Sequence, residues 1–238
     1  MTHAQLLVYL ARRYGVRSYL EIGVGVGRTL LRVPARRKVG VDPFATVAFR
    51  SRLRLARANP SNLFTQVYKE TSDEFFAHRA AKLYGSRGVD LVFVDGKHTY
   101  PQTLADLRAA LGLLSPRGIV VAHDTNPATE AEGWPAESWE EAAAANPPGW
   151  SRAWCGDVWK AIVQLRCESP ELGVRTVRTD FGISILNPRI VGDPLVVFPG
   201  DPSALTFADL DANRDEWLSL CDGEAVGDWI DQDPVLAR

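Results

Sequence analysis

The chain has 238 residues, 46% of them hydrophobic, enough to bury a full core as one large domain or one domain with an appendage. Its net charge of −2 and isoelectric point of about 6.1 leave no global field to draw it onto nucleic acid or an anionic membrane. No apolar run reaches membrane-spanning length and the N-terminus lacks the pattern of a secretory leader, so a cytoplasmic protein without nucleic-acid or membrane partners is expected. Residues 3–14 have helical periodicity and lead into a strand, RSYLEI (17–22). A glycine-rich turn and a short helical run, Arg28–Arg32, follow, then a second strand, RKVGVD (37–42). Segment 46–58 predicts a basic helix whose Arg50, Arg52, Arg54 and Arg57 form a solvated face. NLFTQVY (62–68), VDLVFVD (89–95) and RGIVVAHD (117–124) predict further strands. Between the last two, PQTLADLRAALGLL (101–114) places Leu104, Leu107, Leu111 and Leu114 at helical spacing. A helix over 157–167 and a late strand pair, VRTVRT (174–179) and FGISILN (181–187), complete the series. Strands alternating with amphipathic helices are the rhythm of βαβ units.

Two regions break that rhythm. Residues 125–156 carry Trp134, Trp139, Trp150, Trp154, several prolines and an alanine run, and are too long for a simple connection; they predict a lid-like insertion over the site. Its tryptophans either stack on an acceptor or pack the lid onto the body. The tail after Pro188 is acidic and can be a packed appendage, the arm of a homodimer or disordered chain. Cys155, Cys167 and Cys221 fit neither a zinc pattern nor a disulfide framework and read as reduced thiols.

The stretch YLEIGVGVGRT (19–29) puts Gly23, Gly25 and Gly27 at alternate positions directly after a strand. The next strand ends in Asp42, 21 residues beyond Glu21. At that interval nucleotide-binding βαβ units place a carboxylate that accepts ribose hydroxyls. GxGxG differs from the dinucleotide fingerprint, which has its third glycine one residue later. Glu21 would repel a phosphate and suits a cationic ligand, such as one bearing an α-ammonium group. An NAD-type oxidoreductase is therefore the weaker enzyme reading, and a non-catalytic cofactor-binding scaffold of a biosynthetic complex is the alternative to an enzyme.

EIGVGVG followed by GVDP resembles motifs I and II of the class I S-adenosylmethionine-dependent methyltransferases. ETSDEFF (70–76), VDLVFVDGKHTYPQTLADL, LSPRGIVVAHDTNP, GDVWKAIVQLR (156–166) and DFGISIL (180–186) are similar to later segments of a bacterial subgroup often found among polysaccharide and natural-product genes. The resemblance spans residues 17–187. It implies a Rossmann-like α/β fold with a seven-stranded, mostly parallel sheet, one antiparallel strand and helices on both faces. Residues 1–190 would form the catalytic domain and 191–238 an appendage. The implied cofactor is S-adenosylmethionine. Glu21 and the three glycines would take its methionine portion and ribose edge, Asp42 the ribose hydroxyls, Pro43 or Phe44 the adenine face, and Ser72 and Asp73 the adenine amino group. Arg28 departs from the small or polar residue expected after the glycines.

Asp95 ends the fourth strand and Asp124 the fifth, at the carboxyl edge where open α/β sheets bind ligands, and Asp95 would border the cofactor as well. Two mechanisms stay open. In one, Asp95, Asp124 and Asn126 hold Mg²⁺, which lowers the acceptor hydroxyl's pKa. In the other, His98 is the general base, Asp95 orients it or the substrate, and no metal binds. His123 is a further catalytic candidate or a histidine packed at a strand end. The activity implied is methylation of a small-molecule acceptor, on oxygen of a sugar or secondary metabolite.

Overall fold

Tyr19, Leu20, Glu21 and Ile22 are all buried in strand β1 (Ser18–Ile22), which follows helix α1 (His3–Arg13). A strand covered on both faces belongs to a parallel α/β sheet. The computed structural model describes residues 1–196 and 200–236. It divides into two units: Met1–Gly96 with Asp106–Val121, and Lys97–Ala105 with Ala122–Arg238.

In the first unit, β1 pairs in parallel with β2 (Arg37–Val41) and with β4 (Val89–Val94), and β2 with β3 (Gln66–Tyr68). With β5 (Leu114–Ala122) the order is β3-β2-β1-β4-β5. Register puts Tyr19 beside Lys38 and Leu91, and Glu21 beside Gly40 and Phe93, so these residues share one face. Leu20, Ile22, Val39 and Val41 fill the other. The order reverses between β1 and β4, which makes their carboxyl ends the switch point at which such sheets bind ligands. The glycine loop leaves one of those ends and Asp95 the other.

Helix α1 opens with a capping box in which the Thr2 hydroxyl accepts from the Gln5 amide. Thr71 and Glu74 form another at α3 (Ser72–Phe75), which runs through a π turn into α4 (Ala81–Tyr84). Helix α2 (Phe49–Leu55) buries no residue, and Phe49 and Leu53 are exposed beside its arginines. Helix α5 (Tyr100–Gly112) begins in the second unit's sequence and ends in the first's.

Three expectations are corrected. Arg28–Arg32 forms turns rather than a helix: Leu31 and Val33 bond back to Gly27 and Thr29, and Pro34 stops any continuation. Asn62–Phe64 belongs to a 3₁₀ turn started by Pro60, which leaves only Gln66–Tyr68 as strand. The described residues also hold eight strands, not seven.

The eighth lies in the second unit. Helices α6 (Trp139–Ala145) and α7 (Trp159–Glu168) precede β6 (Leu172–Val177) and β7 (Ile183–Val191). Beyond them come α8 (Phe207–Trp217), β8 (Leu220–Cys221) and α9 (Ala225–Ile230). β6 runs antiparallel to β7 and parallel to β8, in the order β7-β6-β8. Asp233, fully buried, accepts from Asn187 (2.9 Å) and from Arg189 Nε (2.7 Å), which ties the end of the tail to β7. No disulfide joins the three cysteines, and among the described residues no helix is long and apolar enough to cross a membrane. The near-neutral total hides a division: the first unit's sequence has 18 basic and 8 acidic residues, net +10, and the second's 9 and 21, net −12.

Candidate functional site

At the end of β1 the chain turns sharply. Gly23 has φ +86°, and a Cβ there would sit 1.8 Å from the Asp95 carbonyl oxygen, so only glycine fits. Gly25 and Gly27 continue the turn at φ +51° and +77°. Asp42 holds the loop in place: its Oδ2 accepts from the amides of Val24 (3.0 Å) and Gly25 (2.7 Å), and its Oδ1 from Phe44 (2.6 Å). A carboxylate has about four acceptor positions, so Oδ1 keeps one for a ribose hydroxyl. A Cβ at Gly25 would meet nothing within 4 Å, and Pro43 and Phe44 are exposed, Phe44 by 86%. A glycine loop without side-chain cover beside an anchored carboxylate and an uncovered aromatic ring fits a nucleoside. Ser72 and Asp73 open α3 after β3, whose partner strand β2 ends at Asp42.

Glu21 points away from open space. It is 1% exposed and accepts the Tyr19 hydroxyl at 2.5 Å. On the same face the buried Lys38 ammonium donates to the Leu30 carbonyl (2.9 Å) and to Asn62, whose amide donates to Leu31 (3.1 Å). These bonds pin the 28–33 turns to the sheet. Burial pushes Glu21 up to about 8, against the pull of the Tyr19 hydroxyl, and pushes Lys38 down to about 8, against the charge of Glu21.

In the second unit, histidines and carboxylates alternate. His98 Nε2 lies 3.3 Å from Asp124 Oδ2, and His123 Nδ1 lies 3.4 Å from Asp124 Oδ1. His123 Nε2 in turn lies 3.4 Å from Asp180 Oδ2. Asp124 has φ +58°, an uncommon conformation for a side-chain-bearing residue and one that clusters at functional sites. Facing it, Asp180, Phe181 and Gly182 are all left-handed, and the two turns are joined by Thr125 N to Gly182 O (3.3 Å) and Asn126 N to Phe181 O (2.7 Å). A buried hydroxyl chain runs from Thr125 through Ser184 (2.8 Å) to Thr176 (2.7 Å). His98 Nδ1 lies 3.2 Å from the Trp154 carbonyl.

The structure therefore brings His98, His123 and Asp124 together and adds Asp180, which sequence reasoning missed; its one signal was a place two residues before the glycine of the DFG turn. Asn126 does not fit as a metal ligand. Its Oδ1 accepts from the Arg214 guanidinium at 2.6 Å, which sets a positive charge against the atom a cation would need. The Mg²⁺ set expected from Asp95, Asp124 and Asn126 therefore loses Asn126. Of the tryptophans, Trp154 donates to the Trp134 carbonyl (2.8 Å) and Trp139 to the Arg152 carbonyl (3.1 Å), with Trp139 and Trp150 in ring contact at 6.2 Å. Trp139 alone of the four is exposed.

Residues 20–125 match the family model described as a methyltransferase domain. The fold is similar to that of an O-methyltransferase from Bacillus cereus solved with SAH, at 17% identity and a TM-score of 0.50, covering 77% of this chain and 79% of that one. It is also similar to the O-methyltransferase TomG from Streptomyces achromogenes, involved in tomaymycin synthesis and solved with SAM, at 18% identity and a TM-score of 0.50, covering 79% of each chain. No curated protein matches the sequence. The sheet order and the loop that Asp42 anchors agree with the match of residues 20–125 to a methyltransferase domain, which spans less than half of the chain.

Proposed function

We propose that the protein methylates a hydroxyl group of a small-molecule acceptor, a sugar or secondary metabolite, with S-adenosylmethionine as donor. The observation that carries the reading is the place of His98 between two oxygens, the Trp154 carbonyl and the Asp124 carboxylate. A carbonyl only accepts, so its bond to His98 requires a proton on Nδ1. The neutral ring then presents its Nε2 lone pair toward a carboxylate. Nε2 is the receiver for the acceptor's hydroxyl proton, and the Asp124 carboxylate steadies the resulting imidazolium. His123, held between Asp124 and Asp180, fixes the carboxylate's other oxygen.

On the cofactor side, the Gly23–Gly27 backbone, Asp42 and Phe44 would hold the nucleoside, with Ser72 and Asp73 at the adenine edge and Asp95 bordering the loop. Bound S-adenosylmethionine supplies a methyl group on a cationic sulfur, which leaves as the neutral thioether when an acceptor oxygen forms the new C–O bond in line. The protein's own contributions are to align the acceptor, to take its proton and to exclude water. The insertion, with Trp139 exposed, supports recognition of an acceptor with a flat or sugar-like face. A cytoplasmic enzyme fits the same reading, and the two similar O-methyltransferases support oxygen as the target. A homodimer built through the tail fits the same reading.

The test is calorimetric titration with S-adenosylhomocysteine, followed by transfer of labelled methyl from S-adenosylmethionine to a panel of hydroxylated sugars and phenolic metabolites. Micromolar binding and a labelled ether product that His98→Gln abolishes support the proposal. A folded protein that binds no S-adenosylhomocysteine overturns it.

A further inference from the structure

The last residues of the insertion grip the loop that carries His98. The Trp154 carbonyl lies 3.2 Å from His98 Nδ1, and the two rings meet at 5.4 Å. Two residues on, Gly156 at φ +65° passes so near the His98 main chain that a Cβ there would lie 1.9 Å from its carbonyl oxygen. Asp157 follows, and its Oδ1 accepts the Tyr100 amide at 2.7 Å. The segment is fixed from inside the insertion too. Cys155 and Gly156 donate to the Glu132 carbonyl (2.8 and 3.1 Å), and the Trp154 indole to the Trp134 carbonyl (2.8 Å).

We infer that residues 154–157 are a positioning device for the base: the Trp154 carbonyl holds His98 as the Nδ1–H tautomer, and Asp157 holds the HTY loop where that bond can form. The role rests on His98 being the base, as proposed above. Which ring nitrogen of a histidine carries the proton is set by the bond the other nitrogen makes. Here the partner is a main-chain carbonyl, which substitution of the Trp154 side chain would leave in place. The accessible handle is Asp157, whose carboxylate anchors the amide two residues after His98. Insertion and base are therefore one mechanical unit: whatever seats the insertion also aims Nε2.

The tautomer can be read without knowing the acceptor. Histidine-labelled full-length protein is examined by long-range ¹H–¹⁵N correlation over a pH series and read at the alkaline end, where the ring signals no longer move, and the His98 signals are assigned by their loss in His98→Gln. The expected result is Nδ1–H in the wild type, a shift to mixed tautomers in Asp157→Ala, and the wild-type pattern in Asp157→Asn, which keeps an oxygen acceptor. S-adenosylhomocysteine titration of each variant, expected unchanged, shows that the cofactor unit is intact. An Nε2–H tautomer in the wild type overturns the inference even if Asp157→Ala fails to fold. An unaltered Nδ1–H tautomer in folded Asp157→Ala overturns the part assigned to Asp157. A wild type that shows Nδ1–H but binds no S-adenosylhomocysteine sinks the methyltransferase reading and leaves the tautomer assignment standing.

Discussion

The Asp42 carboxylate reaches from the end of β2 to the amides of Val24 and Gly25 at the end of β1 (3.0 and 2.7 Å), so the residue expected to meet the ribose also shapes the loop beneath it. Asp42→Ala should therefore weaken S-adenosylhomocysteine binding beyond the loss of one ribose contact. Bonds to a charged group contribute about 1.5–3 kcal/mol each, and a fall of about 10- to 100-fold in affinity is expected by calorimetry. An affinity within twofold of the wild type would show that neither contact matters to the cofactor.

Two glycines of the loop should respond differently to alanine. A methyl group at Gly23 meets the Asp95 carbonyl at 1.8 Å, whereas one at Gly25 meets nothing within 4 Å. Gly25→Ala bears only the left-handed backbone cost, about 1–2 kcal/mol. Gly23→Ala must also push apart the ends of β1 and β4 and should cost about 3 kcal/mol or more. Urea midpoints of the two variants check the ranking, and equal losses would refute it.

The buried pair Glu21 and Lys38 gives a pH signature. Glu21 is raised to about 8 by burial, so the folded state keeps a proton that the unfolded state gives up near pH 4.5. Its contribution is intact below pH 4.5 and is lost as pH rises toward 8. Lys38, lowered to about 8, acts in the opposite sense above that pH, where the unfolded chain binds the extra proton. Glu21→Gln should flatten the decline in stability between pH 5 and 8, measured as urea midpoints. A variant profile parallel to the wild type over that window would count against a protonated Glu21.

At the other end of the chain, Asp233 carries the tail. Burial opposes its charge, but bonds from Arg189, Asn187 and the Val235 amide outweigh that and hold its pKa below the usual carboxylate value. The stabilisation is present above that usual value and disappears as pH falls through the lowered one. Asp233→Ala leaves Arg189 without its buried partner and should cost about 3 kcal/mol, seen as a lower melting temperature at neutral pH. The gap from the wild type should narrow in acid, and a constant gap down to about pH 2 would contradict the account.

Much of this was legible in the sequence because it depends on pattern. β1, β2, β4 and β5 are runs of branched and apolar residues, and α5 repeats leucine at helical spacing, so burial alone selects their form. Arg28–Arg32 misled because Leu30, Leu31 and Val33 do go inside, but as turns pinned by Lys38 and Asn62, contacts distant in sequence. β8 has two residues, too few for any alternation to show. In the site, Asp42 and His98 stood out by spacing and motif. Asp180 did not, since its meaning comes from a left-handed turn facing Asp124. The Trp154 contribution is a carbonyl, and every residue has one.

The division of charge between the units bears on handling. Copies of a molecule with net +10 in one unit and −12 in the other attract one another although the whole is close to neutral. Such attraction between exposed charges is screened over about 10 Å at 0.1 M salt. The protein should therefore be least soluble in dilute buffer near its isoelectric point, and salting-in, rather than a distant pH, is the way to keep it dispersed.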